Sequence, residues 1–150
     1  MEITLALIKP HVVRNKLALR SLLAMIKANF TVLESKQIHI TKHLSEKFYA
    51  EHQGKFFYNR LTTFMGSGPS YALILQSDGG ISKWRSLMGP TKVYKAIYTN
   101  PDCIRALYGL SDTRNACHGS DSPESALREI DILFPEFNIT DALKAIENKS

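Results

Sequence analysis

Asn115-Ala116-Cys117-His118-Gly119-Ser120-Asp121-Ser122-Pro123-Glu124 is the stretch that decides how the second half of this 150-residue chain folds. Ser122 is a strong N-cap residue, and Pro123 suits the first helical position, where no backbone donor is lost. Glu124 sets negative charge on the positive end of the helix dipole. A helix therefore starts shortly after His118. Residues 114–118 are too few and too mixed for an independent element, and read as the end of a strand that runs into a turn at Gly119. An imidazole at a strand-to-helix corner can be a nucleophile as well as a proton carrier, because one ring nitrogen stays free when a partner holds the other.

Along the helix that follows, Ala126, Leu127, Ile130 and Leu133 form an apolar stripe at three-and-four spacing. Glu129 lies at the edge of that stripe, poorly placed for simple solvation. Glu124 and Arg128, four residues apart, read as a solvent-facing ion pair.

Upstream, residues 3–8 form a short apolar run suited to a buried central strand, and residues 17–28 carry helical spacing through Leu19, Leu22, Leu23 and Ile26. Residues 30–40 alternate loosely as a second strand, and Thr41 is an N-cap for a helix bearing Leu44, Phe48 and Tyr49 that Gly54 closes. A helical piece over 56–65 ends at Gly66-Ser67-Gly68-Pro69, residues 71–75 read as a third strand, and a helix follows around 81–88. Residues 99–112 have few periodic cues and read as a loop, and residues 138–150 as a polar C-terminal tail with some helical character and a fraying end. No repeat, low-complexity segment or linker divides the chain. The pattern predicts one α+β domain.

Composition supports that size of core: 44% of residues are hydrophobic, enough for one compact domain. No stretch approaches the roughly 20 apolar residues of a membrane span. Residues 1–10 lack a secretion signal's basic start and small-residue cleavage site, which predicts an intracellular protein. Cys103 and Cys117 are too few for a disulfide framework and predict a reducing compartment. The formal charge of +5 favours an anionic partner. Nucleotides and nucleic acid both qualify, but the basic residues are dispersed, which disfavours nucleic acid; Arg14, Lys16 and Arg20 are the residues such binding would use. His39 and His43 share a four-residue spacing without a third ligand, so they do not read as a zinc site. The sequence also holds no Walker loop and no GxGxxG before a helix.

Asn115, His118-Gly119-Ser120-Asp121-Ser122, Ser125-Ala126 and Glu129 together resemble the signature of nucleoside diphosphate kinases. The resemblance runs over nearly the whole chain to about Phe137, and implies a kinase domain over 1–137 and a tail over 138–150. It implies a ferredoxin-like α/β sandwich, a four-stranded antiparallel sheet with surrounding helices on one face. It also implies ping-pong chemistry, in which His118 takes the γ-phosphate of a nucleoside triphosphate and passes it to a diphosphate, with Ser120 and Glu129 orienting the ring. Arg85 and Arg105 resemble the family's phosphate-holding arginines, with Thr91 as the companion hydroxyl. Lys9 resembles the residue on the sugar hydroxyls, where Asn115 also contributes. Tyr49 and His52 match a tyrosine near the catalytic histidine and a phosphate-contacting histidine. Phe57 and Leu61 align with residues that pack on the base. Mg²⁺ is implied as a cofactor carried by the nucleotide phosphates, with no dedicated protein ligand.

The chain departs from common family members in several places. His11-Val12-Val13-Arg14 follows Lys9-Pro10 where those have an acidic residue and a glycine, and this segment is one residue shorter. Asp112 stands where a valine closes over the base, Ala106 replaces a glycine, and the segment between Thr91 and Arg105 is a few residues longer. With Lys55-Phe56-Phe57-Tyr58 and Asp112-Thr113-Arg114-Asn115, these features are most similar to the divergent nucleoside diphosphate kinase 6 branch. That likeness adds mitochondria to cytoplasm as an expected location. An oligomer is compatible with it, but the usual hexamer does not carry over, because the lengthened segment shapes subunit contacts. It also leaves a second reading, a nucleotide-binding interaction protein with weak or partner-dependent activity.

Overall fold

A computed structural model describes residues 1–111 and 114–149. The expectations attached to Asp112, Thr113 and Ser150 therefore lie outside the described residues. Four strands, β1 (Glu2–Ile8), β2 (Thr31–Ile38), β3 (Ser70–Ser77) and β4 (Cys117–Gly119), make one sheet in the order β2-β3-β1-β4 with every pairing antiparallel. β3 lies between β1 and β2, and β1 lies between β3 and β4, which is the split βαβ arrangement of a ferredoxin-like sandwich. Between β1 and β2 run α1 (Pro10–Val13) and α2 (Lys16–Asn29), and between β2 and β3 run α3 (Lys42–Phe48) and α4 (Tyr58–Met65). From β3 to β4 the chain forms α5 (Gly80–Met88), α6 (Val93–Thr99) and α7 (Ile104–Tyr108), and α8 (Pro123–Leu133) and α9 (Ile139–Lys149) follow β4. No helix among the described residues is long and apolar enough to cross a membrane.

Helices cover both faces of the sheet, which corrects the one-face expectation. Ala6, Ile8, Leu73 and Leu75 pack against Leu22 and Ile26 of α2, Trp84 and Met88 of α5, and Ile104 of α7. Ile3, Leu5, Leu7, Ala72 and Ile74 pack on the other side against Phe48 of α3, Phe64 and Met65 of α4, and Ile130 and Leu133 of α8. The reason is visible in β1 itself. Successive side chains point to opposite faces, so an unbroken apolar run can be buried only from both sides. Each fully buried leucine or isoleucine in these layers contributes about 1.5–3 kcal/mol relative to exposure.

The helix starts follow local chemistry where a cap is available. Asn15 accepts from the Ala18 amide, Thr41 from the Leu44 amide, and Ser122 from the Ser125 amide at 3.1 Å. Four expectations need correction. The presumed loop over 99–112 contains α7 and the end of α6, neither of which has a side-chain cap. The helix begun at Thr41 ends at Phe48 rather than at Gly54, and a 3-10 turn, Ala50–His52, continues the chain. Leu127 is exposed, so the inward stripe of α8 is Ala126, Glu129, Ile130 and Leu133. Arg128 is also not engaged with Glu124 but reaches the end of α3. The helical character expected near the C-terminus is a full helix, with Ile139, Ala142 and Ile146 against the second cluster.

Strand register decides which way the corner residues face. β4 pairs with β1 so that His118 lies opposite Leu7, Cys117 opposite Ile8 and Gly119 opposite Ala6. His118 therefore faces α8 with Leu7, and Gly119 lies against α5 with Ala6. A Cβ at Gly119 would stand 2.4 Å from Trp84 Cδ1 and 2.7 Å from Met88 Cε, and Trp84 is fully buried. Gly119→Ala is expected to destabilise the fold by about 1–3 kcal/mol through overpacking, read as a lower denaturation midpoint with unchanged m-value. Wild-type stability in that variant would contradict the packing described here.

Candidate functional site

His118 Nε2 and Ser120 Oγ converge on one oxygen of Glu129. The histidine nitrogen lies 3.0 Å from Oε1, and the Ser120 hydroxyl donates to the same atom at 2.7 Å. Glu129 is only 2% exposed, which is tolerable for a carboxylate because Oε1 has two polar partners and Oε2 faces the Arg128 guanidinium at 3.7 Å. The backbone carbonyl of His118 accepts from the Trp84 indole at 3.2 Å, and the rings of Phe48 and Tyr49 stand edge-on to the imidazole. The histidine is thereby held from its backbone, its Nε2 side and its face. Its Nδ1 has no hydrogen-bond partner among the described residues.

Apart from Ser120, which is buried behind the carboxylate, every residue given a site role from the sequence lines one cavity of about 450 Å³. That is the size range of a small-molecule site. His118, Glu129 and Tyr49 line the cavity together with Arg85, Thr91, Arg105, Lys9 and Asn115. His52, Phe57 and Leu61 line it as well, with His52 and Phe57 ring centroids 5.4 Å apart. A larger hollow of about 660 Å³ shares only Arg60 with this cavity and carries none of the other named site residues. The chemistry is therefore assigned to the smaller one.

Several groups in the cavity are prepared for a polar ligand. Asn115 Oδ1, Arg105 Nε and the Tyr49 hydroxyl are buried without a partner among the described residues. Arg105 is held rigidly, with Nη1 donating to the Gly89 carbonyl at 2.8 Å and Nη2 to the Cys117 carbonyl at 3.2 Å. Burial pushes its pKa down and the neighbouring Arg85 adds to the effect, so an anion would relieve crowded positive charge. Burial, then Lys55, pushes His52 below the ordinary histidine value, leaving it as a neutral contact. Tyr49 is pushed up by burial and then by Glu129, so the phenol keeps its proton. Lys9 is almost wholly buried at the end of β1, where its amide donates to the Ala116 carbonyl at 2.9 Å. Ala116 adopts φ of 80°, an unusual conformation for a non-glycine residue, held by burial next to Asn115.

Sequence reasoning missed Glu51, Phe56, Arg60, Met88 and Asp121 as cavity residues. Arg60 carries a legible signal, since it lies three residues after Phe57 on the same helical turn. Glu51 has none, because the 3-10 turn that presents it was read as α-helix. Asp121 sits within the signature run, and a hydrogen bond from Ser125 pulls its pKa down, keeping it anionic.

A family model for nucleoside diphosphate kinase matches residues 2–139. Nucleoside diphosphate kinase 6 of Danio rerio is 49% identical over 138 residues, covering 92% of this chain and 79% of that protein. Its namesake in Homo sapiens is 47% identical, covering 92% and 75%. Among solved structures, the nucleoside diphosphate kinase of Aquifex aeolicus superposes with a TM-score of 0.83 at 34% identity, covering 89% of this chain and 94% of that one.

Burial, and secondarily Arg105, pushes Lys9 down to about 8 from 10.5. Between those values the unfolded chain holds a proton that the native lysine has lost, so the fold gains stability as pH rises through this window. The gain is bounded at roughly 3 kcal/mol. Denaturation of the wild type and Lys9→Met from pH 8 to 10.5 is expected to show that rise in the wild type only. An equal rise in both would contradict the lysine as its source.

Proposed function

The chain belongs to the nucleoside diphosphate kinase family, and from that premise we propose that it moves the γ-phosphate of a nucleoside triphosphate to a nucleoside diphosphate through a phosphorylated His118. The observation that carries this reading is the single oxygen of Glu129 that holds His118 Nε2 at 3.0 Å and leaves Nδ1 to the cavity. With the proton on Nε2 and donated to the carboxylate, the lone pair on Nδ1 is the nucleophile.

In the first half-reaction Nδ1 attacks the γ-phosphorus, the bond from phosphorus to the β,γ-bridging oxygen breaks, and the nucleoside diphosphate leaves with that electron pair. The ring carries a positive charge as the N–P bond forms, and the anionic Glu129 offsets it through the Nε2 proton. In the second half-reaction a terminal oxygen of the acceptor diphosphate attacks phosphorus, the N–P bond breaks, and the imidazole returns to neutral. Arg85, Arg105 and Thr91 are the donors for the phosphate oxygens, each charge-assisted bond typically contributing about 1.5–3 kcal/mol. Lys9 and the open Oδ1 of Asn115 suit sugar hydroxyls, and Phe57 with Leu61 suits a base, a contact that tolerates every base because all have a π-face.

No group of three or more His, Cys, Asp or Glu side chains among the described residues could hold a metal by itself. A magnesium ion fits here only as part of a phosphate complex, for which Asp121 is the cavity carboxylate not already engaged with His118 or Arg128. When bound, such an ion supplies charge neutralisation on the phosphates.

His118→Asn is expected to lower transfer of label from γ-labelled ATP to GDP by more than about a thousandfold, because the covalent step has no substitute nucleophile. Retained exchange in that variant would sink the proposal.

A further inference from the structure

Arg128 makes contacts that holding phosphate does not require. Its Nη1 donates to the Lys47 carbonyl at 3.2 Å and its Nη2 to the Phe48 carbonyl at 3.4 Å. Nη2 also lies 3.7 Å from Glu129 Oε2 and 3.9 Å from Glu51 Oε1. Lys47 and Phe48 end α3, where carbonyls lack helical partners and the helix dipole is negative, so a guanidinium is welcome there. The rings of Phe48 and Tyr49 at this helix end stand 4.9 and 6.4 Å from the His118 ring. One side chain thus touches the carboxylate that holds the imidazole and the backbone of Phe48, whose ring packs on it.

We propose that Arg128 is a positioning residue that acts through Glu129 to fix which nitrogen of His118 carries the proton. The proposal rests on the reading of His118 as the nucleophile. Oε1 of Glu129 is shared by His118 and Ser120, and Oε2 faces Arg128, so the guanidinium is the counter-charge of a buried carboxylate. An anionic carboxylate only accepts hydrogen bonds, which places the imidazole proton on Nε2 and the lone pair on Nδ1. A protonated Glu129 could donate to Nε2 instead, and the imidazole proton would then reside on Nδ1, removing the lone pair that attacks phosphorus. The other ionisable groups near this carboxylate cannot replace Arg128. Tyr49 keeps its proton and is neutral, Glu51 offers a carboxylate rather than a cation, and His52 is pushed toward its neutral form.

The test compares wild type, Arg128→Gln and Arg128→Lys in the full chain. Nitrogen NMR of the His118 ring, recorded without nucleotide and at mildly alkaline pH, is paired with single-turnover labelling by γ-labelled ATP. Glutamine keeps an amide that can donate to the α3 carbonyls but has no charge, and lysine keeps the charge but not the fork. Wild type and Arg128→Lys are expected to show one tautomer, protonated at Nε2. Arg128→Gln is expected to show a mixture, with labelling slowed roughly ten- to hundredfold and little change in apparent ATP affinity. A single Nε2–H tautomer in Arg128→Gln overturns the proposal, as does a like change in both variants, which a mere brace between α3 and α8 would give. Should Arg128→Gln fail to fold, loss of the single tautomer in Arg128→Lys still overturns it and its retention supports it. A tautomer change in a chain that never takes up label would remove the phosphotransfer reading and leave the positioning role standing.

Discussion

Glu129 Oε1 is the atom on which the site depends. It accepts from Ser120 and engages His118, joining the loop after β4, the strand itself and α8 at one buried point. A carboxylate in that position is costly unless every lone pair is met, so the arrangement is sensitive to small displacements. The fold supplies the required precision from three directions. Strand register puts His118 on the α8 face, Trp84 grips its backbone carbonyl, and Gly119 lets α5 approach where no side chain fits.

Around this fixed core the cavity brings together two kinds of chemistry. Its lining combines cations, led by Arg105 tied to two backbone carbonyls, with aromatic and aliphatic groups. Such a lining suits a ligand that carries both an anionic group and a ring. Glu129 lines the same cavity beside the imidazole, and its charge there is offset by its neighbours. His118 and Ser120 cover one oxygen, and Arg128 covers the other.

Much of this was legible in the residues because the signals are local. Ser122-Pro123 announces α8, the unbroken apolar run of β1 announces a central strand, and the spacing from Ala126 to Leu133 places Glu129 toward the interior. What escaped was decided by distant partners. α6 and α7 follow Lys92 and Cys103, neither of which caps its helix with a side chain, and their inward residues Val93, Ala96 and Ile104 are held by tertiary packing. Arg128 follows the i,i+4 rule toward Glu124 on paper, yet the carbonyls at the end of α3, about 80 residues away, offer it better acceptors. Register was likewise beyond reach: nothing in Cys117-His118-Gly119 alone says which of the three side chains faces α8.

The nitrogen that Glu129 leaves free decides the chemistry most directly. Chemical identification of the phosphohistidine isomer, after labelling with γ-labelled ATP and alkaline hydrolysis of the chain, reads that nitrogen without reference to turnover. Phosphate on Nδ1 of His118 is the result the geometry predicts, and phosphate on Nε2 would contradict it, because that atom lies 3.0 Å from Glu129 Oε1.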